Sequence, residues 1–192
     1  MKAHKIIYTI LFSILISLFA FAGCQQSKEE AQPLTKEEQI AKGKYLVEIS
    51  GCHDCHSPKK MTDMGPVPDE NLLLSGHPAD QPIPSYDKNI VKDWALMNHS
   101  LTAAVGPWGV SFAANITSDG TGIGNWTYEQ FENAMRKGWY KGLEGSRPLM
   151  PPMPWQGFAN FTDEDLRAVF AFLQSTKPVK NVVPAYISPD QM

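Results

Sequence analysis

The chain has 192 residues, of which 43 % are hydrophobic, and this length and composition suffice for one globular domain with its own core. It contains 17 basic and 20 acidic residues, so its formal net charge is −3. An acidic chain lacks the basic footprint that nucleic-acid binding requires, which excludes that class of partner and remains compatible with a basic patch on a protein partner.

The first 23 residues have the layout of an export signal. Lys2 and Lys5 precede an apolar stretch from residue 6 to residue 22, as in the charged and hydrophobic regions of a signal peptide. A retained transmembrane helix is the alternative, because about 17 apolar residues is the lower limit for crossing a bilayer. Removal of residues 1–23 would leave 15 basic against 20 acidic residues, a net charge of −5.

The four residues from Phe21 to Cys24 favour cleavage over a retained anchor. They resemble the lipobox of bacterial lipoproteins, in which small residues precede a Cys that receives lipid, although Phe21 replaces the usual Leu. We predict lipidation of Cys24, whose acyl chains would hold the protein at a membrane. Gln25 lacks the Asp of inner-membrane retention, which favours the outer membrane where that rule applies. The polar residues 24–34 then form a flexible tether.

Three later segments carry the start signal of a helix, in which a Thr is followed three residues later by an acidic or amide side chain. They predict helices near residues 35–50, 127–138 and 162–176. We expect the first and last helices to cross, with Gly43 permitting close approach to the Phe170 face.

The segment between residues 57 and 126 is rich in Pro, Gly, Asn and Asp and shows neither clear strand alternation nor a long amphipathic pattern. It allows a short helix around residues 93–104. The remainder is expected to form loops that need a large apolar body to pack against.

The run Cys52-His-Asp-Cys-His56 has the spacing of a covalent haem attachment site, in which two thiols bind the haem vinyl groups and an imidazole ligates the iron. A thioredoxin-like site would need a preceding strand, whereas a helix is predicted there. A zinc site would need two further ligands, and neither His77 nor His99 has a partner nearby in the sequence. The pattern therefore predicts one haem c, bound through Cys52 and Cys55 with His56 on the iron.

A sixth iron ligand is expected from a proline-stiffened loop directly before the last helix, which contains Met150 and Met153. Its prolines restrict the unbound conformations, so holding a thioether against iron costs less entropy. The alternative is that both Met side chains pack in the core, as most Met residues do. Met61 and Met64 follow the attachment site too closely, and Met135 lies on the apolar face of a predicted helix.

Five motifs follow one another along residues 36–178: Cys52–His56, Asn115–Thr117, Thr121–Trp126, Met153–Trp155 and Thr162–Leu166. In this order they resemble class I cytochrome c domains, particularly those of cytochrome subunits serving membrane-bound alcohol and sugar dehydrogenases. Ordered motifs are far more specific than the pentapeptide alone. Those subunits typically carry several haem domains, whereas this chain has one attachment site and no internal repeat, so it cannot relay electrons between haems of its own.

The resemblance implies an all-α class I cytochrome c fold, with few helices and long loops around one haem. It also implies that Met153 is the sixth ligand, with Met150 as the fallback. In that family the Asn of the second motif and the Trp that ends the third lie around the haem edge, so Asn115 and Trp126 are candidates for contact with the haem or its propionates.

We therefore expect an electron carrier rather than an enzyme, with a cytochrome domain over residues 35–178 and a C-terminal tail over residues 179–192. The protein is expected outside the cytoplasm, facing the periplasm, with the membrane leaflet left open. A dehydrogenase or quinol-oxidising complex would supply electrons, and a terminal oxidase or soluble carrier would receive them. The alternatives are a haem enzyme or a peroxide- or gas-binding sensor with an open iron site, and a fixed subunit of a larger complex.

Overall fold

Five helices form the scaffold of residues 33–192, the part of the chain that the computed structural model describes. Three of them confirm the predicted helices, one carries the Cys-x-x-Cys-His run, and one follows the proline-rich loop. Within this range, no helix combines the length and apolar character needed to cross a bilayer. The helices are α1 (Lys36–Ile49), α2 (Cys52–His56), α3 (Tyr128–Lys137), α4 (Trp155–Phe158) and α5 (Asp163–Ser175).

The predicted start signals are present as hydrogen-bonded caps at the first residues of α1, α3 and α5. In each case a Thr hydroxyl accepts a hydrogen bond from the amide three residues later, which satisfies one of the amides that a helix leaves unpaired. These bonds join Glu38 N to Thr35 Oγ1 at 3.2 Å, Gln130 N to Thr127 Oγ1 at 3.2 Å and Asp165 N to Thr162 Oγ1 at 3.1 Å.

The predicted crossing of α1 and α5 is confirmed, and Gly43 lies at the contact. A Cβ atom at Gly43 would lie 1.9 Å from the carbonyl oxygen of Ala168 and 2.8 Å from Cβ of Phe172. Only a residue without a side chain fits there. The backbone of α5 therefore faces Gly43 at Ala168 and Phe172, whereas Phe170 packs against Phe131 of α3, with their ring centroids 5.2 Å apart.

The main core lies between these helices and the loops that connect them. Partly buried residues surround it, including Cys52, Trp126 and Met135, and the position of Met135 confirms its interpretation as a packing residue. The buried members are Val47, Leu74, Ile123, Phe131, Leu166, Val169 and Leu173.

Two small antiparallel sheets occupy part of the segment for which no strands were predicted, so the all-α expectation is confirmed for the helical scaffold only. The strands are β1 (Lys59–Thr62), β2 (Gly65–Pro68), β3 (Leu96–Met97), β4 (Ala103–Gly106) and β5 (Gly109–Phe112). One sheet pairs β1 with β2, and the other has the order β3-β4-β5. Short 3₁₀ helices cover Ile90–Lys92, Tyr140–Gly142 and Pro189–Gln191.

The short helix that the sequence allowed around residues 93–104 does not form, because this segment turns back on itself as β3 and β4. Asn98 closes the turn: its backbone amide donates to the carbonyl of Ala103 at 3.1 Å, and its side-chain oxygen accepts from Ala103 N at 3.1 Å. Leu101 within the turn has a left-handed φ of 59°. These side-chain and backbone bonds replace those of a helix.

The C-terminal residues, which the sequence predicted as a tail, are hydrogen-bonded to the domain. Ile187 exchanges two backbone hydrogen bonds with Val110 of β5, at 2.8 and 3.0 Å. The side-chain amide of Asn181 donates to the carbonyls of Ser75 and His77 at 2.7 and 2.8 Å. The segment of residues 181–187 therefore connects the sheet of β3, β4 and β5 to the loop of residues 75–77.

Candidate functional site

The two thiols of the attachment run lie on one short helix, three residues apart, so Cys52 and Cys55 share a face of α2. Both are free and partly buried, and Cys52 packs against the main core. Burial raises the pKa of the Cys52 thiol to about 11 and raises the pKa of Cys55 as well. Neither cysteine forms a disulfide within residues 33–192, so both thiols are available for thioether bonds to a haem.

The imidazole of His56 is oriented by a backbone carbonyl. Its Nδ1 lies 2.7 Å from the oxygen of Ala114. Because a carbonyl only accepts hydrogen bonds, Nδ1 must carry the proton, which leaves the lone pair of Nε2 available. Burial lowers the pKa of His56, so the ring is neutral. A neutral imidazole whose second nitrogen donates to a carbonyl is the form in which His binds a metal.

The carbonyl of Ala114 is held in place by the neighbouring segment of residues 74–77. Gly76 N donates to the carbonyl of His56 at 2.8 Å, and His77 N donates to the carbonyl of Ala113 at 2.9 Å. A Cβ atom at Gly76 would lie 2.4 Å from the oxygen of Ala113 and 2.6 Å from that of Ala114. Sequence reasoning missed both Gly76 and Ala114, since no motif marks a backbone acceptor.

Ser57, which directly follows α2, joins the attachment helix to the same segment. Its side-chain oxygen lies 2.9 Å from the backbone amide of Leu74, which donates to it, and 2.9 Å from Nδ1 of His53. Leu74 is buried and has a left-handed φ of 60°, a conformation that costs a non-glycine residue about 1–3 kcal/mol. The surrounding hydrogen bonds therefore impose the backbone path beside His56.

The proline-rich loop places Met150 and Met153 at the two ends of one turn. The amide of Met153 donates to the carbonyl of Met150 at 3.2 Å, and both residues are partly buried. Ser111 of β5 donates its hydroxyl to the carbonyl of Pro151 at 2.6 Å. By contrast, Met61 and Met64 are 71 % and 94 % exposed on the β1–β2 hairpin, consistent with their rejection as iron ligands.

The residue after the Met-Pro pair fixes the end of this loop. The indole of Trp155 lies directly over Gly138, where a Cβ atom would be 2.4 Å from the ring. Gly138 N caps α3 by bonding to the carbonyl of Ala134, and its own carbonyl accepts from Leu149 N at 2.7 Å. The loop is therefore attached to the end of α3 on both sides of the two Met residues.

The side chain of Asn115 is already engaged within the protein. Its amide nitrogen donates to the carbonyl of Val179 at 2.8 Å, and its oxygen accepts from the amide and hydroxyl of Thr117 at 3.0 and 2.8 Å. Trp126 is partly buried against the main core. The contacts of Asn115 and Trp126 with haem stay predictions, and the Asn115 bonds indicate a role in holding the loop of residues 115–121.

Neither histidine that a zinc site would require lies in a metal-binding cluster. Both ring nitrogens of His77 are occupied, by Thr102 Oγ1 at 2.9 Å and by the carbonyl of Gln81 at 2.9 Å. Within residues 33–192 no group of three His, Cys, Asp or Glu side chains could hold a metal ion, so His99 does not belong to such a group either. The donor set of α2 instead fits haem c, with two thiols for the thioethers and an open Nε2 for the iron.

The comparisons with known proteins match the part of the chain that contains the attachment run. The family model described as Cytochrome c matches residues 40–177. An 80-residue stretch is 41 % identical to one of the subunits of nicotinate dehydrogenase from Pseudomonas putida, covering 41 % of this chain and 6 % of that protein.

Two cytochrome subunits match over longer stretches. The gluconate 2-dehydrogenase cytochrome c subunit of Pantoea cypripedii is 30 % identical over 73 % of this chain and 24 % of its own length. The fructose dehydrogenase cytochrome subunit of Gluconobacter japonicus is 28 % identical over 80 % of this chain and 25 % of its own length. The chain thus spans a quarter or less of the length of these relatives.

Proposed function

Because this chain belongs to the cytochrome c family and binds haem c covalently, we propose that it is a one-electron carrier in which His56 and Met153 ligate the iron. The hydrogen bond from His56 Nδ1 to the carbonyl of Ala114 carries this proposal, since it leaves Nε2 available to a metal on the helix that also presents both thiols. We also propose that the domain is a class I cytochrome c domain, whose helices and loops enclose one haem.

The haem supplies the chemistry, which is exchange of one electron between ferric and ferrous iron. The residues of the chain keep the ligand set constant during this exchange. Ala114 fixes the tautomer and the orientation of His56. The thioethers at Cys52 and Cys55 would prevent dissociation of the haem from the protein. A ligand set that does not change between the two oxidation states allows electron transfer with little rearrangement.

Met153 is proposed as the sixth ligand because its loop is attached to the rest of the domain at several points. Ser111 holds the carbonyl of Pro151, and Trp155 packs over Gly138. A loop restrained in this way loses little conformational entropy when its thioether binds iron. Thioether ligation also raises the reduction potential relative to a second imidazole.

The optical spectrum of the ferric protein tests the ligand assignment. A weak charge-transfer band in the red is typical of a thioether bound to ferric haem iron, and we expect it in the wild-type protein. The variant Met153→Ala should lose the band, and the matched variant Met150→Ala, altered at the other end of the same turn, should keep it. The reverse result would assign Met150, the alternative candidate, as the sixth ligand.

A high-spin ferric spectrum in the wild-type protein would contradict the carrier proposal. It would favour the alternative function, a haem enzyme or a sensor whose open iron site binds peroxide or a gas. Addition of cyanide separates the two, because an open site binds it rapidly, whereas a thioether must first dissociate.

Membrane attachment through lipid at Cys24 is the second part of the proposal. Cys24 lies outside the described residues, and the support comes from the export signal and the lipobox-like residues before it. We propose that the mature domain faces the periplasm on a tether. The variant Cys24→Ser should move from the membrane fraction to the soluble fraction if the lipid is the anchor, and it should stay with the membrane if the apolar stretch is retained.

A dehydrogenase is the proposed electron donor. The support is that the relatives include cytochrome subunits of fructose and gluconate dehydrogenases. With one attachment site, the chain would pass each electron directly to an acceptor such as a terminal oxidase or a soluble carrier. Purification of the protein from native membranes after crosslinking tests this partnership, and recovery of a quinol-oxidising complex instead would identify the other donor class.

A further inference from the structure

The ammonium group of Lys59 is bound to the backbone around the attachment helix. It donates to the carbonyl of Asp54 and to that of Ser57 at 3.5 Å, and these two residues lie immediately before Cys55 and immediately after His56. It also donates to the carbonyl of Ser100 at 2.8 Å. Lys59 is therefore fixed beside the two residues that hold the haem on this side.

The charge of Lys59 has no carboxylate partner among residues 33–192 within ion-pair distance, and the three oxygens that it contacts are all neutral backbone groups. The side chain is partly buried beneath the turn at Ser100, where Lys59 N also donates to Ser100 Oγ at 3.3 Å. Desolvation lowers the pKa of Lys59, as expected for an ammonium group that has lost part of its water. A charge in this setting is screened less than one on an exposed side chain.

We propose that Lys59 is an electrostatic determinant of the haem reduction potential, raising it through its fixed positive charge beside Cys55 and His56. The inference rests on the proposed ligation of iron by His56. Reduction adds one electron to ferric iron and lowers the positive charge of the haem by one. A neighbouring cation repels the ferric form more than the ferrous form, so it favours reduction.

The matched control is Lys60, the next residue along β1. Lys60 carries the same charge but is exposed, and no side-chain hydrogen bond or ion pair connects it to the rest of residues 33–192. If net charge alone set the potential, neutralising either lysine would have the same effect. If the position of the charge decides, only Lys59 should matter.

The test is a redox titration of the holoprotein with the variants Lys59→Gln, Lys59→Arg and Lys60→Gln. Gln keeps two N–H donors for the carbonyls and removes the charge, whereas Arg keeps the charge. We expect Lys59→Gln to shift the ferric–ferrous equilibrium toward ferric about three- to tenfold, which is ~30–60 mV for one electron. Lys59→Arg should stay close to the wild type, and Lys60→Gln should change the equilibrium less than about twofold.

Two further observations make the result decisive. The shift caused by Lys59→Gln should persist at high salt, because a partly buried charge is poorly screened. Equal shifts from Lys59→Gln and Lys60→Gln, or a shift in Lys59→Arg as large as in Lys59→Gln, would overturn the proposal. The ferric spectrum of each variant reports separately on Met153, so failure of the thioether assignment is distinguishable from failure of the Lys59 proposal.

Discussion

The segment around His56 and the loop that carries Met153 are held in different ways. Beside His56, backbone groups from distant parts of the chain bond to one another, as between His77 and Ala113. In the Met153 loop the prolines at 151, 152 and 154 are exposed, and one hydroxyl, that of Ser111, reaches the turn. We therefore expect changes on the His56 side to reduce global stability. If Met153 is the sixth ligand, as proposed, changes on its side should mainly alter ligand exchange at the iron.

The largest effect is expected from Gly76→Ala, on the His56 side. The added methyl group would lie within 2.6 Å of three atoms of the backbone of residues 113–114, and the φ of 76° disfavours any side chain. We expect the free energy of unfolding to fall by about 2–4 kcal/mol, from left-handed strain and overpacking together. Denaturant unfolding of the holoprotein measures this loss.

Gly145→Ala is the control for Gly76→Ala. Gly145 has nearly the same φ, 75°, but nothing lies within 4 Å of its would-be Cβ atom. The free energy of unfolding of Gly145→Ala should fall by only about 1 kcal/mol, from the left-handed backbone strain alone. Equal losses in the two variants would show that the contact with residues 113–114 contributes nothing to stability.

A smaller effect on stability is expected from Ser111→Ala, on the Met153 side. This variant removes the 2.6 Å bond to Pro151 and the acceptor of Trp108 Nε1, at a cost of about 1 kcal/mol. If the bond favours the loop conformation in which the thioether is bound, added imidazole should bind ferric iron about fivefold more tightly. Titration with imidazole, followed in the ferric spectrum, measures this change.

Ser146→Ala separates loop stability from ligand exchange. Ser146 donates to the carbonyl of Tyr140 at 2.9 Å, before the turn that contains the two Met residues. Its loss should also cost about 1 kcal/mol but leave imidazole binding unchanged. Tighter imidazole binding in both variants would mean that Ser111 has no special connection to Met153.

The sequence predicts those parts of the molecule whose signal lies within a few neighbouring residues. The Thr caps of three helices and the spacing of Cys52, Cys55 and His56 are of this kind. The paired strands are not, since β4 is buried on both faces and shows no alternation, and β3 has only two residues.

The supports of the candidate site are also invisible in the sequence. The carbonyl of Ala114 orients His56 whatever side chain residue 114 carries, and no pattern marks it. Asn181 bonds to Ser75 and His77 across more than a hundred residues. Such contacts join residues that are far apart in the sequence and form only when the chain has folded. Patterns among neighbouring residues therefore do not predict them.

The last expected effect depends on pH and lies again on the His56 side, at His77. This side chain is fully buried and both its nitrogens are hydrogen-bonded, and burial lowers its pKa below the usual 6.5. The unfolded chain therefore binds a proton at His77 at a higher pH than the folded protein does. Its contribution to stability is complete above about pH 6.5 and decreases as the pH falls below that value.

We expect the free energy of unfolding to decrease between about pH 7 and pH 5 by at most about 1.4 kcal/mol per pH unit from this group. The variant His77→Gln should be less stable at neutral pH, because the hydrogen bonds to Thr102 and Gln81 are altered, yet show a flatter pH dependence. An unchanged slope in His77→Gln would mean that His77 does not contribute to the pH dependence of stability.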